Sequence, residues 1–347
     1  MYICPEATLL SQEDNSALMQ LMLGQCSEKQ TAISVLDIIG GKAPDPINYT
    51  KDIEAFRSNT GNVGLSFGAA YYPFIGTNIM QQNEIDYTNL FGGDTKQLAP
   101  LLNVNGVPDK TVAAILADID KPNNGFTNPQ NNNALINASK TFNTIMKHVL
   151  NDANTLPPSG AMAGIMTSID HQQGVWTAPA NVSVMGASSL PIRLSDSQQG
   201  PLNMDAVTGK SINAIRFFNG LGILVWGART LDGNSLDWKY LSVRRTVMML
   251  EQSCKLGLQA YVFEPNNNTT WLNVKVEISN FLTTIWKQGG LQGASPAEAF
   301  SVECGLGVTM TPNDILNGFM NVTVKVAVTH PAEFIVFNIQ QQLTVSC

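Results

Sequence analysis

Two segments near the start of the chain are almost continuously apolar. Residues 31–39 read TAISVLDII, and residues 65–75 read LSFGAAYYPFI. A strand that is covered on both faces has no polar side, so the first run predicts a buried strand and the second a further apolar element. Apolar residues at helical spacing in 11–26, and a short predicted helix at 50–58, alternate with these runs. The alternation predicts an α/β layer.

The pattern changes between about residues 78 and 156. Residues 121–137 contain seven asparagines and two prolines, a composition that resists regular structure. The flanking segments 112–119 and 135–150 keep helical spacing. We therefore predict an inserted outer excursion that carries two helices and an Asn-rich loop.

The second half is more regular. We predict a helix at 157–170, a buried strand at 222–228, a helix at 238–256 and a strand at 258–264. The strongest helical pattern lies at 269–288, where the apolar stripe comprises Trp271, Val274, Ile278, Phe281, Leu282 and Ile285. A polar stretch before residue 211 favours a division into residues 1–200 and residues 201–347.

The C-terminal stretch has a β pattern. Residues 319–328 alternate apolar and polar positions, and residues 334–345 form a last apolar strand. Its apolar members are Phe334, Ile335, Val336, Phe337, Ile339, Leu343 and Val345. A strand at the periphery must be paired, either in a terminal hairpin that closes its own sheet or by addition to another subunit.

Composition narrows the class of protein. Hydrophobic residues make up 44% of the chain and charged residues only 14%, against about 25% in typical soluble domains. Sparse charge indicates a surface that is partly covered by other subunits. The formal net charge is −7 without a basic stripe, which disfavours direct nucleic-acid binding. No apolar run approaches the ~20 residues of a membrane helix, so membrane insertion is not predicted.

The residue types that bind metals are scattered. The chain has five cysteines, with no C-x-x-C pair, and three histidines in separate contexts. This spacing argues for a reducing compartment and against a disulfide framework or a zinc site. No G-x-S-x-G elbow occurs and no pair of carboxylates stands out, so we assign no catalytic, cofactor-binding or metal-binding residue.

One short motif suggests nucleotide chemistry. Gly209-Lys210-Ser211 matches the last three positions of a phosphate-binding loop. The glycine required five residues earlier is replaced by Met204, and no β run precedes the segment. A simple turn at Gly209 is favoured, and a phosphate-binding α/β enzyme is kept as the alternative.

Three arginines also have two interpretations. Arg229 ends a predicted strand, and Arg244-Arg245 begins a predicted helix. Such guanidinium groups either bind an external anion or form internal ion pairs, and we favour the internal role. Trp226 and the other tryptophans of this half are interpreted as core or interface anchors.

Seven blocks in order carry a resemblance to a known family. They are PPSGAMAGI (157–165), DHQQGVWTAPAN (170–181), INAIRFFNGLGILVWGARTL (212–231), WKYLSVRR (238–245), VFEPNN (262–267), FLTTIWKQGGLQG (281–293) and HPAEFIVFNI (330–339). Together they resemble the sheath proteins of contractile tails, a family of phage tail sheaths, R-type tailocins and extracellular contractile injection systems. The match covers most of residues 157–347 and extends more loosely upstream.

The resemblance implies a structural protein without cofactors rather than an enzyme. Family subunits stack as hexameric rings around an inner tube, on a baseplate and below a terminator or cap. The sheath is metastable when extended and contracts to drive the tube through a target membrane. The particle is assembled in the bacterial cytoplasm as part of a phage tail or a released tail-like particle. A non-contractile ring or capping protein on the same fold is a further alternative.

The resemblance also implies roles for particular residues. The strand 334–345 matches the arm that joins sheets of neighbouring subunits, and the helix 269–288, through Lys275, Glu277 and Lys287, is the candidate contact with the tube. The neighbouring helix with Arg244, Arg245 and Lys255 is the other candidate. Trp226, Gly227 and Arg229 belong to the "WGARTL" strand end.

The implied fold is a mixed α+β class. Mixed sheets are flanked by helices, with an outer insertion and a C-terminal sheath domain that ends in an extended arm. Family chains normally carry a further N-terminal region ahead of the position that matches Met1.

Overall fold

The computed structural model describes residues 1–103, 107, 109–121 and 127–334, and the strands of this part of the chain form three sheets. The strands are β1 (Tyr2–Ile3), β2 (Ser34–Asp37), β3 (Gly68–Tyr72), β4 (Ile75–Thr77), β5 (Thr155–Leu156), β6 (Val182–Ser183), β7 (Ala187–Ser189), β8 (Asn213–Phe218), β9 (Gly222–Trp226), β10 (Phe300–Cys304) and β11 (Val322–Val326). The helices are α1 (Gln12–Lys29), α2 (Thr50–Asn59), α3 (Thr95–Leu101), α4 (Lys110–Ile119), α5 (Asn128–Ala138), α6 (Lys140–Asn154), α7 (Ser159–Gln172), α8 (Asp196–Asn203), α9 (Leu241–Leu258), α10 (Asn268–Lys287), α11 (Pro296–Ala299) and α12 (Pro312–Leu316).

The largest sheet has the order β1-β2-β3-β8-β9-β6 and is mixed. Strands β1, β2, β3 and β8 run parallel, and β9 pairs antiparallel with both β8 and β6. Successive residues of a strand point to opposite faces of the sheet, and helices cover both faces. Leu36 packs in a cluster with α1 and α2, whereas Val35 packs in a cluster with α7 and α9. The predicted buried strand in 31–39 and the mixed α+β class are confirmed.

Helices α3 to α6 lie between β4 and β5 and have an apolar cluster of their own. The prediction of an Asn-rich loop across 121–137 is wrong for its second half, because α5 begins at Asn128. A capping box between Thr127 and Gln130 and a proline in the first turn start this helix, and Leu135 is fully buried in the cluster. Ser139 then ends α5 and caps α6, so the predicted helix 135–150 is divided in two.

The helix α10 forms as its sequence predicts. The Asn267 side chain accepts hydrogen bonds from the amides of Thr269 (3.0 Å) and Thr270 (3.2 Å). The stripe buries Trp271, Val274, Ile278, Leu282 and Ile285, and all but Trp271 belong to a cluster with α9, β10 and β11. Gly289, with φ of +87°, follows the end of the helix.

The predicted strand at 258–264 is wrong. Helix α9 continues to Leu258, a 3-10 turn covers Gln259–Tyr261, and the Glu264 amide donates to the Tyr261 carbonyl at 3.1 Å. The Tyr261 hydroxyl donates to Glu277 of α10 at 2.7 Å, which turns the chain toward the second helix. The segment therefore serves as the connection between two helices.

The proposed two-part division remains a prediction. The six-stranded sheet takes strands from both sides of residue 200, since β8 and β9 lie beside β3 and β6. Strands β10 and β11 instead form a separate two-stranded sheet, which packs with α10 around an apolar cluster.

Candidate functional site

In the segment Gly209-Lys210-Ser211, the side chains of Lys210 and Ser211 bond to backbone carbonyls of the same chain. Lys210 is only 3% exposed, and its ammonium group donates to the Arg57 carbonyl at 2.5 Å. Burial lowers the pKa of Lys210. The Ser211 hydroxyl donates to the Asn203 carbonyl, and the chain continues into β8 rather than into a helix. These contacts contradict the phosphate-binding loop, because the lysine cannot reach a phosphate while it holds a backbone carbonyl.

Within 1–103, 107, 109–121 and 127–334, no group of three or more His, Cys, Asp and Glu side chains could hold a metal ion. Over the same part of the chain, no helix has the length and apolar character needed to cross a membrane. A cluster of buried polar contacts lies instead at the end of β9.

The strand end that contains Trp226, Gly227 and Arg229 is built around Asn213. The Asn213 side chain accepts the Arg229 amide at 2.8 Å and donates to the Arg229 carbonyl at 2.8 Å. A Cβ atom at Gly227 would lie 2.8 Å from the Asn213 side-chain oxygen, so glycine is needed for this approach. Both backbone polar groups of Arg229 are thereby fixed at the end of the six-stranded sheet.

The Arg229 guanidinium group binds a carboxylate from the C-terminal stretch. Its Nε lies 2.9 Å from Oε1 of Glu333, and its Nη2 lies 2.7 Å from Oε2. Its Nη1 donates to the carbonyls of Asn203 at 3.0 Å and Gly233 at 3.2 Å. The Tyr240 hydroxyl lies 3.2 Å from the same Glu333 oxygen. Burial, and then the Glu333 carboxylate, raises the pKa of Tyr240.

A cleft of about 430 Å³ lies beside this ion pair. The stretch 331–334 lines this cleft, together with Trp226 and Arg216. Trp226 packs on Phe218 with ring centroids 4.5 Å apart. Arg216 donates to the Leu194 carbonyl and to exposed Asp196, so its charge is used within the chain.

The pair Arg244 and Arg245 is likewise used inside the subunit. The Arg244 guanidinium carbon lies 3.7 Å from the ring centroid of Phe67 and 4.4 Å from that of Trp238. Arg245 makes a bidentate pair with Asp170 at the end of α7, in which one bond is 2.9 Å. Stacked and paired guanidinium groups of this kind hold elements together, here α9 against its neighbours.

The C-terminal sheet consists of two described strands. Val302 of β10 lies opposite Val324 of β11 in an antiparallel register. One face packs on α10, and the other carries polar side chains such as Glu303 and Lys325, which lie 3.8 Å apart. In the described part of the chain, neither strand has a partner on its outer edge. Unpaired edges offer backbone N–H and C=O groups to an added strand.

The predicted tube-facing residues lie on α10, and their role remains a prediction. Glu277 and Lys287 are exposed, Lys275 is half-buried, and Glu277 accepts the Tyr261 hydroxyl. The same helix also exposes two apolar side chains, Leu272 (59%) and Val276 (50%). The outer face is therefore less charged than the sequence interpretation assumed.

The predicted arm falls largely outside the described residues. Phe334 is 68% exposed directly after the ion pair. Ile335, Val336, Phe337, Ile339, Leu343 and Val345 lie outside the described residues, and their role stays a prediction. The sequence pattern does not identify Glu333 as the partner of Arg229, because 104 residues separate the two and no local spacing joins them.

Comparisons with known proteins point to one family. Residues 234–342 match the phage tail sheath C-terminal domain. The tail sheath protein of Vibrio phage KVP40 is 27% identical over 145 residues, which are 41% of this chain and 21% of the relative. The chain thus spans about a fifth of the length of that curated relative.

Two solved structures extend the similarity to nearly the whole chain. A chain of the anti-feeding prophage (AFP) baseplate has a TM-score of 0.63 and 27% identity, covering 96% of this chain and 66% of that one. A chain of the PVC sheath complex, from an extracellular contractile injection system in the contracted state, has a TM-score of 0.61 and 29% identity over 89% of this chain and 64% of that one. The predicted resemblance to contractile tail sheath proteins is confirmed.

Proposed function

We propose that this chain is a structural subunit of a contractile tail sheath. Copies stack as hexameric rings around an inner tube in a metastable extended state, and the sheath contracts to drive the tube through a target membrane. The similarity to sheath and baseplate chains of contractile systems supports this role over 96% and 89% of the chain. The chain acts by assembly and without an enzymatic step.

The unpaired two-stranded sheet is the observation that carries the proposal. Strands β10 and β11 pack on α10 through one face and keep both outer edges unpaired within the described residues, so an added strand can pair with either edge. The apolar strand predicted at 334–345 has the length and pattern to pair with such an edge on another copy. A contact between two different surfaces of identical subunits does not close, so it builds an open helix.

Free energy stored in the contacts between subunits drives contraction, so no nucleotide hydrolysis is needed. In the extended state, contacts between subunits are kinetically trapped, and rotation of rings exchanges them for more stable ones. The arm between copies keeps the lattice connected while the bodies move. Lys275, Glu277 and Lys287 of α10 contact the inner tube, and baseplate and terminator or cap proteins hold the two ends. Assembly takes place in the bacterial cytoplasm, within a phage tail or a released tail-like particle.

Electron microscopy of the purified chain tests the proposal. We expect six-fold rings or tubes from the whole chain, and a folded but unassembled protein after deletion of residues 334–347. Substitution of a polar position of the arm, Gln341→Ser, is the matched control and should keep the assemblies. Intact tubes after the deletion, or monomers of the whole chain at all concentrations, would contradict the proposal.

A further inference from the structure

We propose that Arg229 and Glu333 form a latch that fixes the root of the C-terminal stretch to the subunit body. The importance of an arm rests on the proposed function. The latch itself is a property of the single chain. Its partners lie at the end of the six-stranded sheet and just after the two-stranded sheet, and it therefore joins the two.

The geometry of the latch is that of a strong ion pair. Two parallel N–H···O bonds of 2.9 and 2.7 Å join the guanidinium group to the carboxylate. The side chains of Arg229 and Glu333 are only 6% and 19% exposed. Bidentate pairs between charged groups are shorter and more directional than neutral hydrogen bonds, and burial limits their screening by salt. The latch thus fixes both the position and the orientation of Glu333.

Arg229 is held in place by the subunit body, independently of the stretch 331–334. Asn213 holds both backbone groups of Arg229, and the carbonyls of Asn203 and Gly233 hold its Nη1. These bonds come from the central sheet, from the end of α8 and from the loop after β9. The guanidinium group is therefore a fixed point of the body.

The backbone of the stretch that follows β11 is bonded to the body as far as Thr329. The Ala327 amide donates to the Ala299 carbonyl at 2.8 Å, and the Ala327 carbonyl accepts the Gln292 amide at 2.7 Å. Thr329 is held by Gly289 and Gly290, and the His330 ring packs edge-on against Tyr240 with centroids 6.2 Å apart. Among contacts between described residues, the backbone of 331–334 makes no hydrogen bond to the body. The Glu333 side chain is thus its polar tether, and Phe334 is exposed immediately after it.

The latch therefore fixes the root of the C-terminal stretch at Glu333. Tension on an arm seated in a neighbouring copy would reach the body through Glu333 and pass into the central sheet at Arg229. The closed latch also lines the cleft, through 331–334. We therefore expect loss of the latch to release the root without unfolding either sheet.

Chymotrypsin cleavage after Phe334, followed by mass spectrometry on the unassembled chain, tests the latch. We expect Arg229→Gln to speed this cleavage at least five-fold. Arg216→Gln is the matched control, because Arg216 is equally buried and lines the same cleft but bonds Asp196 and Leu194 instead of the stretch 331–334. The control should cleave at the wild-type rate.

Glu333→Gln gives a second approach that keeps the shape of the side chain and leaves Arg229 its two carbonyl bonds. Residue 333 lies next to Phe334, so the substitution could change recognition by chymotrypsin directly. The cleavage rate of this variant is therefore divided by that of a peptide of residues 328–338 with the same substitution, and the wild-type rate by that of the wild-type peptide. We expect the double variant Arg229→Gln/Glu333→Gln to be no faster than either single variant. Wild-type rates in both single variants, or equal acceleration by Arg216→Gln, would overturn the latch.

The measurement needs no assembly. A chain that forms no tubes would contradict the proposed function and would leave the cleavage result readable. Accelerated cleavage in the Arg229 variant would support the latch in either case.

Discussion

The central six-stranded sheet and the C-terminal two-stranded sheet differ in how fully a single chain covers them. The central sheet has six strands with both faces covered, by α1 and α2 on one side and by α7 and α9 on the other. The C-terminal sheet has two described strands, a single covered face and two outer edges without a described partner. The first has both faces buried within one chain, whereas the second leaves one face uncovered, which suits it to completion by another chain.

The largest predicted change in stability concerns a buried carboxylate of the central sheet. Asp37, at the end of β2, is 6% exposed, and its Oδ1 accepts the Ser159 amide at 2.8 Å, while Oδ2 has no partner among the described residues. Burial raises the pKa of Asp37 to about 7, against opposing hydrogen bonding by Ser159. The folded state therefore binds this proton more tightly than the unfolded state, and the stability it contributes at pH 4 is lost as the pH rises to about 7.

The substitution Asp37→Asn removes this pH dependence. It keeps the acceptor for Ser159 and should raise the free energy of unfolding at pH 8 by up to ~4 kcal/mol, with little gain at pH 4. Urea unfolding at both pH values measures the change. An equal effect at the two pH values would show that Asp37 does not titrate in this window.

A second prediction compares one substitution in the two sheets. Val225→Ala empties a fully buried site in β9 and should lower the free energy of unfolding by ~2 kcal/mol, from lost burial and the cavity left behind. Val324→Ala in β11 affects a half-buried side chain and should cost less than ~1 kcal/mol in the isolated subunit. Equal costs would mean that the C-terminal sheet is as complete as the central one.

The smallest effect is expected at the surface pair of the C-terminal sheet. Glu303 and Lys325 are 44% and 69% exposed, and their charged atoms lie 3.8 Å apart. Glu303→Gln should change the stability of the unassembled chain by less than ~0.5 kcal/mol, because water and salt screen such pairs. A loss above 1 kcal/mol in thermal or urea unfolding would indicate a better-shielded sheet than the single chain provides.

The sequence predicted the elements whose signal is local. The apolar run 31–39 contains β2, and the stripe from Trp271 to Ile285 predicts α10. The prediction at 258–264 was wrong because an apolar run without a partner strand became a connection between helices. The Asn-rich segment was wrong where Thr127 and Gln130 cap a helix that buries Leu135.

The junction at Arg229 was only half predictable. An arginine at a strand end suggests either an external anion or an internal carboxylate, and spacing does not identify the carboxylate when it lies 104 residues away. The nearby role of Asn213 was equally hidden, since an asparagine that starts a strand has no distinctive pattern. Long-range pairing of polar groups is set by the packed fold, which local periodicity does not encode.

The most direct test of the account is hydrogen exchange of the backbone amides of Val322–Val326, measured in unassembled chains and in tubes. If other copies complete the C-terminal sheet, exchange there should slow at least ten-fold on assembly, while Ser34–Asp37 of the central sheet stay unchanged. Equal exchange of Val322–Val326 in the two states would contradict the claim that this sheet is built to be completed by a neighbour.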